Sequence, residues 1–167
     1  MPPIVSIVGK SESGKTTLIE ALVPELKLRG YQVATVKHVL SELAFDKPGK
    51  DSWRHIQAGS QATAIISPNQ IVVLKPIRQE PGLNDVVHFL GNDYDIIIAE
   101  GFKQSSAPKI EVHRKEAGAP LIGITNLIAI ATDEPLETKV RQFSLRDIKG
   151  LADLLENRFI KPKRKNI

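Results

Sequence analysis

The chain has 167 residues, 41% of them hydrophobic, and no cysteine; this predicts one cored domain over residues 1–158 and excludes disulfides, thiolate metal centres and thiol catalysis. No apolar run reaches membrane-spanning length and the amino terminus lacks a signal-peptide layout, so the expected location is cytoplasmic, with no membrane partner. The formal charge of +4 comes from Arg158, Lys161, Lys163, Arg164 and Lys165 near the end; without them 18 basic face 19 acidic residues, so nucleic acid is not an expected partner and 159–167 reads as a solvated, disordered tail.

In chain order, the run Ile4-Val5-Ser6-Ile7-Val8 predicts a buried strand. Directly after it, Gly9-Lys10-Ser11-Glu12-Ser13-Gly14-Lys15-Thr16 fits the phosphate-loop pattern G-x-x-x-x-G-K-[ST] without a mismatch. Each residue type has a physical reason. Gly9 and Gly14 let successive amides turn inward toward phosphate oxygens. Lys15 places a compact charge on the β and γ phosphates, and the Thr16 hydroxyl is a hard ligand for Mg²⁺. The helix that follows adds the positive end of its dipole. Glu12 is compatible with this only if its carboxylate turns outward to solvent.

Leu18, Ile19, Leu22 and Leu26 recur at helical spacing and predict a helix over 15–29, stopped by Gly30 and kinked or divided by Pro24. A strand is predicted over 32–37, then a long polar segment through Asp51 and a short helix over 52–58 capped by Asp51 or Ser52. Runs at 62–67 and 70–75 around Pro68-Asn69 read as a hairpin. A helix follows at 83–90, then the most apolar strand at 95–99 and further strands at 109–113, 121–124, 127–131 and 140–144. Asp147 caps a closing helix over 148–158. This alternation predicts an α/β fold of the P-loop NTPase kind: a mixed, mostly parallel sheet with helices on both faces and ligands at the carboxyl ends of the strands. Glu100, directly after the strand at 95–99, then emerges beside the phosphate loop, where it can hold a water on the Mg²⁺ bound by Thr16.

Four further blocks, Lys37-His38, Asp46-Lys47-Pro48-Gly49-Lys50-Asp51-Ser52, Glu100-Gly101-Phe102-Lys103 and Ile128-Ala129-Ile130-Ala131-Thr132-Asp133, resemble the signatures of the molybdopterin-guanine dinucleotide biosynthesis protein B (MobB) family over residues 4–157. The resemblance implies a GTP- and Mg²⁺-binding homodimer with weak hydrolysis, working beside the molybdenum cofactor guanylyltransferase that joins GMP to molybdopterin. Carried over by residue, Gly9 and Lys10 through Thr17 form the phosphate cradle, with Ser11, Glu12, Ser13, Gly14, Lys15 and Thr16 between them. Thr16 and Glu100 hold the metal, and Lys15, Glu100 and Asp46 make the catalytic set. Asp46, Lys50 and Asp51 lie in a segment facing the γ-phosphate or a pterin, and Asp133 accepts from the N1–H and N2 amine of guanine. After Lys37-His38 the family continues with further histidines, whereas Val39-Leu40-Ser41-Glu42 stands here, so no metal is expected at those positions and His38 reads as a packed or hydrogen-bonded side chain. Lys10 also fits the pattern of dimeric ATPases whose extra lysine reaches the partner's nucleotide.

Lys103, Lys109 and Arg114 surround the expected rim and suit phosphates, while Trp53 is equally compatible with packing and with ligand contact. The sequence shows no obvious arginine finger close to the loop and no sure water-positioning residue, which implies slow turnover. The alternative from another class is an ATP-dependent small-molecule kinase with Asp46 or Asp51 as general base. A metal-delivering GTPase is disfavoured by the missing cysteines and scarce histidines.

Overall fold

In the computed structural model, which describes residues 1–41 and 45–160, β-branched runs become the strands of a parallel sheet. These are β1 (Ile4–Val8), β2 (Val33–Lys37), β5 (Ile96–Glu100), β6 (Lys109–His113), β7 (Leu127–Thr132) and β8 (Gln142–Ser144). They are ordered β2-β5-β1-β6-β7-β8, and every neighbouring pair is parallel. Helices α1 (Lys15–Leu28), α3 (Leu83–Leu90) and α4 (Ile148–Phe159) cover it, so the fold is the P-loop NTPase-like α/β architecture.

One face buries Val5, Ile7, Ile98 and Ile110 against Leu18, Leu22 and Leu26 of α1 and Leu151 and Leu155 of α4. The other buries Ile97 and Ala99 against Leu83 and Val87 of α3. Arg29 joins α1 to α4: it donates to Glu25 at 2.9 Å and to Asp153 and Glu156 at 2.7 Å each. Burial alone would lower its guanidinium pKa, but the bonds to Asp153, Glu156 and Glu25 outweigh that and raise it. The Tyr31 hydroxyl donates to Glu156 at 2.5 Å, which pushes the phenol up to about 12 and holds the carboxyl below its ordinary range.

Four expectations are corrected. Pro24 does not divide α1, which runs unbroken through it; the proline is on the exposed side, where water can serve the carbonyl of Glu20 that loses its donor. No strand forms at 121–124: Gly123 turns to φ 72°, Ile122 is 95% exposed, and the Leu121 amide donates to the Glu111 side chain at 2.7 Å instead of to a ladder. The strand expected at 140–144 shortens to Gln142–Ser144. The helix expected at 52–58 begins at Asp51 with Lys50 as its N-cap and no side-chain cap bond. Asp147 does cap α4, accepting from the Gly150 amide at 3.0 Å.

The chain separates into two compact units, one of residues 1–38 with 82 onward and one of residues 39–81. The second consists of α2 (Asp51–Gln57) and an antiparallel hairpin, β3 (Thr63–Ser67) and β4 (Gln70–Leu74), turning at Pro68-Asn69. Pairing of Ala64 with Val73 and of Ile66 with Ile71 puts these four side chains on one face. Ile66, Ile71 and Val73 there are 75%, 69% and 62% exposed. Residues 161–167, most of the expected tail, lie outside the described residues, as does Glu42 of the family departure.

Candidate nucleotide-binding site

The loop after β1 has the geometry that its glycines permit. A Cβ on Gly9 would stand 2.5 Å from the Val112 carbonyl oxygen, so the loop can pass β6 this closely only without a side chain. Gly14, at φ 96°, occupies the N-cap of α1 in the left-handed region. Glu12 is exposed at φ 60°, its carboxylate on the solvent side. Lys15 folds back over the loop, its Nζ donating to the Lys10 carbonyl at 2.6 Å. Burial lowers the Lys15 pKa; Glu100 opposes the shift, and the like charges of Lys103 and Lys37 add to it. Three ammonium groups around one carboxylate leave a local positive excess that suits a polyphosphate.

Residues 84 positions apart meet where the sequence predicts the cation. The Thr16 hydroxyl donates to both Glu100 oxygens, at 3.0 and 3.1 Å, and Lys37 Nζ lies 3.4 Å from Glu100 Oε1. A hydroxyl and a carboxylate so close are a hard-oxygen pair that fits Mg²⁺. Among the described residues no group of three or more acids, histidines or cysteines could hold a metal ion. The backbone behind Glu100 is fixed: its carbonyl accepts from the His38 amide at 3.0 Å and the Gly101 amide donates to Ile7 at 2.9 Å. His38 stacks on Phe102 with ring centroids 4.9 Å apart.

Asp133 emerges from the end of β7, and its Oδ1 accepts from the Lys115 amide at 2.9 Å, which orients the carboxylate and leaves Oδ2 for a ligand. Ser11, Thr16 and Thr17 are exposed, whereas Ser13 is buried with its Oγ unpartnered. Lys109 does not serve the rim. It is fully buried and donates to the carbonyls of Ser105, Ala107 and Thr125 at 2.5, 3.0 and 3.1 Å, and desolvation lowers its pKa. It is the first residue of β6, at the strand's amino end and so away from the carboxyl-end rim, and its side chain lies on the side opposite Ile110 and Val112, which pack into the main core.

Asp46, Lys50 and Asp51 belong to the second unit and are described within it. Asp46 Oδ2 is closed to solvent without a partner among the described residues. Asp51 lies 3.7 Å from Arg54 in the exposed first turn of α2. Trp53 is half-buried and lines a hollow of about 570 Å³ with Phe45, Pro48, Ile56 and Pro76. The residue that sequence reasoning placed only loosely is Arg114, whose Nε donates to the Ser13 carbonyl at 3.1 Å. It directly follows β6, and the rule that ligands gather at strand ends was the available signal.

Comparison with known proteins bears on the family and the fold. The family model for molybdopterin guanine dinucleotide synthesis protein B matches residues 4–133. The molybdopterin-guanine dinucleotide biosynthesis adapter protein of Haemophilus influenzae is 36% identical over 157 residues, 93% of this chain and 88% of that protein. Its Escherichia coli counterpart is 33% identical over 163 residues, 93% and 92% of the two chains. A crystal structure of molybdopterin-guanine biosynthesis protein B superposes with a TM-score of 0.73 at 28% identity, covering 92% of this chain and 98% of that one.

Proposed function

Because this chain belongs to the MobB family of molybdopterin guanine dinucleotide biosynthesis, we propose that it binds GTP with Mg²⁺ and assists the guanylyltransferase that builds the dinucleotide form of molybdopterin. The observation that carries this reading is the Thr16–Glu100 contact at 3.0 and 3.1 Å beside a complete phosphate loop. The loop amides and Lys15 take the triphosphate, Thr16 coordinates the ion, and Glu100 holds one of its waters. A bound Mg²⁺ would be held by Thr16 and, through water, by Glu100, and would supply charge neutralisation for the phosphates. Asp133, already oriented by Lys115, offers a carboxylate to the two adjacent N–H donors of guanine, an edge that adenine lacks.

Hydrolysis is slow in this reading, since no described side chain at the site is arranged to activate a water. The MobB resemblance assigns Asp46, Lys50 and Asp51 of the second unit a role toward the γ-phosphate or a pterin. The chain works as a homodimer in the cytoplasm, supported by the uncovered apolar face of the hairpin. No described helix is long and apolar enough to cross a membrane.

Titration calorimetry in the presence of Mg²⁺ tests the reading. GTP binds at least about tenfold more tightly than ATP, Asp133→Ala narrows that preference, and Glu100→Gln removes most of the Mg²⁺ dependence. Equal wild-type affinities for the two nucleotides would overturn the base assignment.

A further inference from the structure

The carboxyl edge of the sheet orders its functional positions. Glu100 ends β5, the phosphate loop leaves β1, Arg114 follows β6 and Asp133 follows β7, and these four strands are consecutive neighbours. At about 4.8 Å per strand the row from Glu100 to Asp133 spans about 14 Å. Thr16 and Glu100 mark the metal end, where the β and γ phosphates lie, so the rest of a nucleotide leaves the loop toward β6.

Arg114 stands at that exit. Its Nε bond to Ser13 lays the guanidinium over Gly14: a Cβ there would meet Nε at 3.2 Å, Nη2 at 3.3 Å and Cζ at 3.7 Å. Among the described residues neither terminal nitrogen donates to a protein acceptor, although the residue is half-buried. The next residue, Lys115, gives its amide to Asp133. Ser13, Arg114, Lys115 and Asp133 therefore form one continuous bridge from the phosphate cradle to the base-reading carboxylate. Beside Arg114, a hollow of about 280 Å³ is walled by Gly14, Thr17, Leu18, Leu145 and Ile148. A partly apolar recess next to a planar cation and a helix hydroxyl is chemically suited to a sugar and a purine ring.

We infer that Arg114 is a nucleotide-binding residue that serves the sugar and base half of the ligand, stacking its guanidinium plane on the purine, and not the triphosphate. The inference rests on the reading that the chain holds a nucleoside triphosphate, and the test separates the two. Binding of GTP and of inorganic tripolyphosphate, which has no nucleoside, is measured by calorimetry for the wild type, Arg114→Ala and Arg114→Lys. The wild type binds both. Arg114→Ala loses about tenfold or more in GTP affinity, in line with the worth of one stacking contact, and keeps tripolyphosphate within about threefold. If Arg114→Ala loses both ligands because Ser13 is released, Arg114→Lys decides, since lysine restores a donor and a charge but no plane. Retained tripolyphosphate with weakened GTP then supports the inference. Equal losses of the two ligands in both variants, or no loss of GTP in either, overturn it. A wild type that binds neither ligand refutes the nucleotide reading itself.

Discussion

Residues 1–38 with 82 onward and residues 39–81 handle apolar side chains in opposite ways. The first unit closes Val5, Ile7, Leu22, Leu26, Ile96, Ile97, Ile98, Ile110, Leu151 and Leu155 off from solvent. In the second, none of the described residues is buried, and Ile66, Ile71 and Val73 face outward on a two-stranded hairpin. A hairpin alone is marginal in water, and an apolar face of this kind marks a surface with something to cover it. The phosphate loop and the Thr16–Glu100 pair are therefore built into the cored unit. The Asp46 to Ser52 block, the most distinctive stretch of the family resemblance, sits in the unit in which no described residue is buried.

The largest contrast is in stability. Ile98→Ala removes a fully buried side chain from the helix-covered face and costs about 2–5 kcal/mol in denaturant unfolding. Ile66→Ala, at a position 75% exposed within one chain, shifts the same transition by less than about 0.5 kcal/mol when measured at a dilution where the chain is monomeric. Similar losses at both positions under that condition would break the comparison.

An intermediate effect falls on assembly. In the proposed homodimer, the double variant Ile66→Asp, Val73→Asp places two charges on that face and gives monomer by light scattering, while the proposed GTP binding at the phosphate loop persists. A dimer unaffected by both charges would locate the interface elsewhere.

The smallest effect sharpens the description of the cored unit. Tyr31→Phe removes one charge-assisted bond to Glu156 and costs about 1 kcal/mol near neutral pH. The Glu156 carboxyl is depressed in the folded state, so its contribution is present above its ordinary pKa and lost as pH falls through the folded value. The Tyr31 phenol is raised, so its share is present below its ordinary pKa and lost as pH climbs through about 12. In Tyr31→Phe the stability loss should therefore shrink at both extremes. A loss that stays constant across this range would show that the bond contributes nothing to folding.

What the sequence determined by itself was chemistry that is local along the chain. The spacing from Gly9 to Thr16 specifies an anion cradle because eight consecutive residues shape one turn, the apolar run before Glu100 specifies a strand that delivers a carboxylate to a sheet edge, and the hairpin and Asp147 cap rest on neighbours in sequence. Tertiary structure alone decided which distant residues meet and which way each side chain faces. The order β5-β1-β6-β7 brought Arg114 to Ser13 and gave the Glu100–Thr16 meeting, which the strand-end rule anticipates, its hydrogen bonds. The start of β6 placed Lys109 at the edge opposite the rim, bonded to three carbonyls, and the packed face of α1 carried the helix through Pro24. The physical reason is that register and strand order are settled by burial summed over the whole sheet, a quantity that no window of sequence contains.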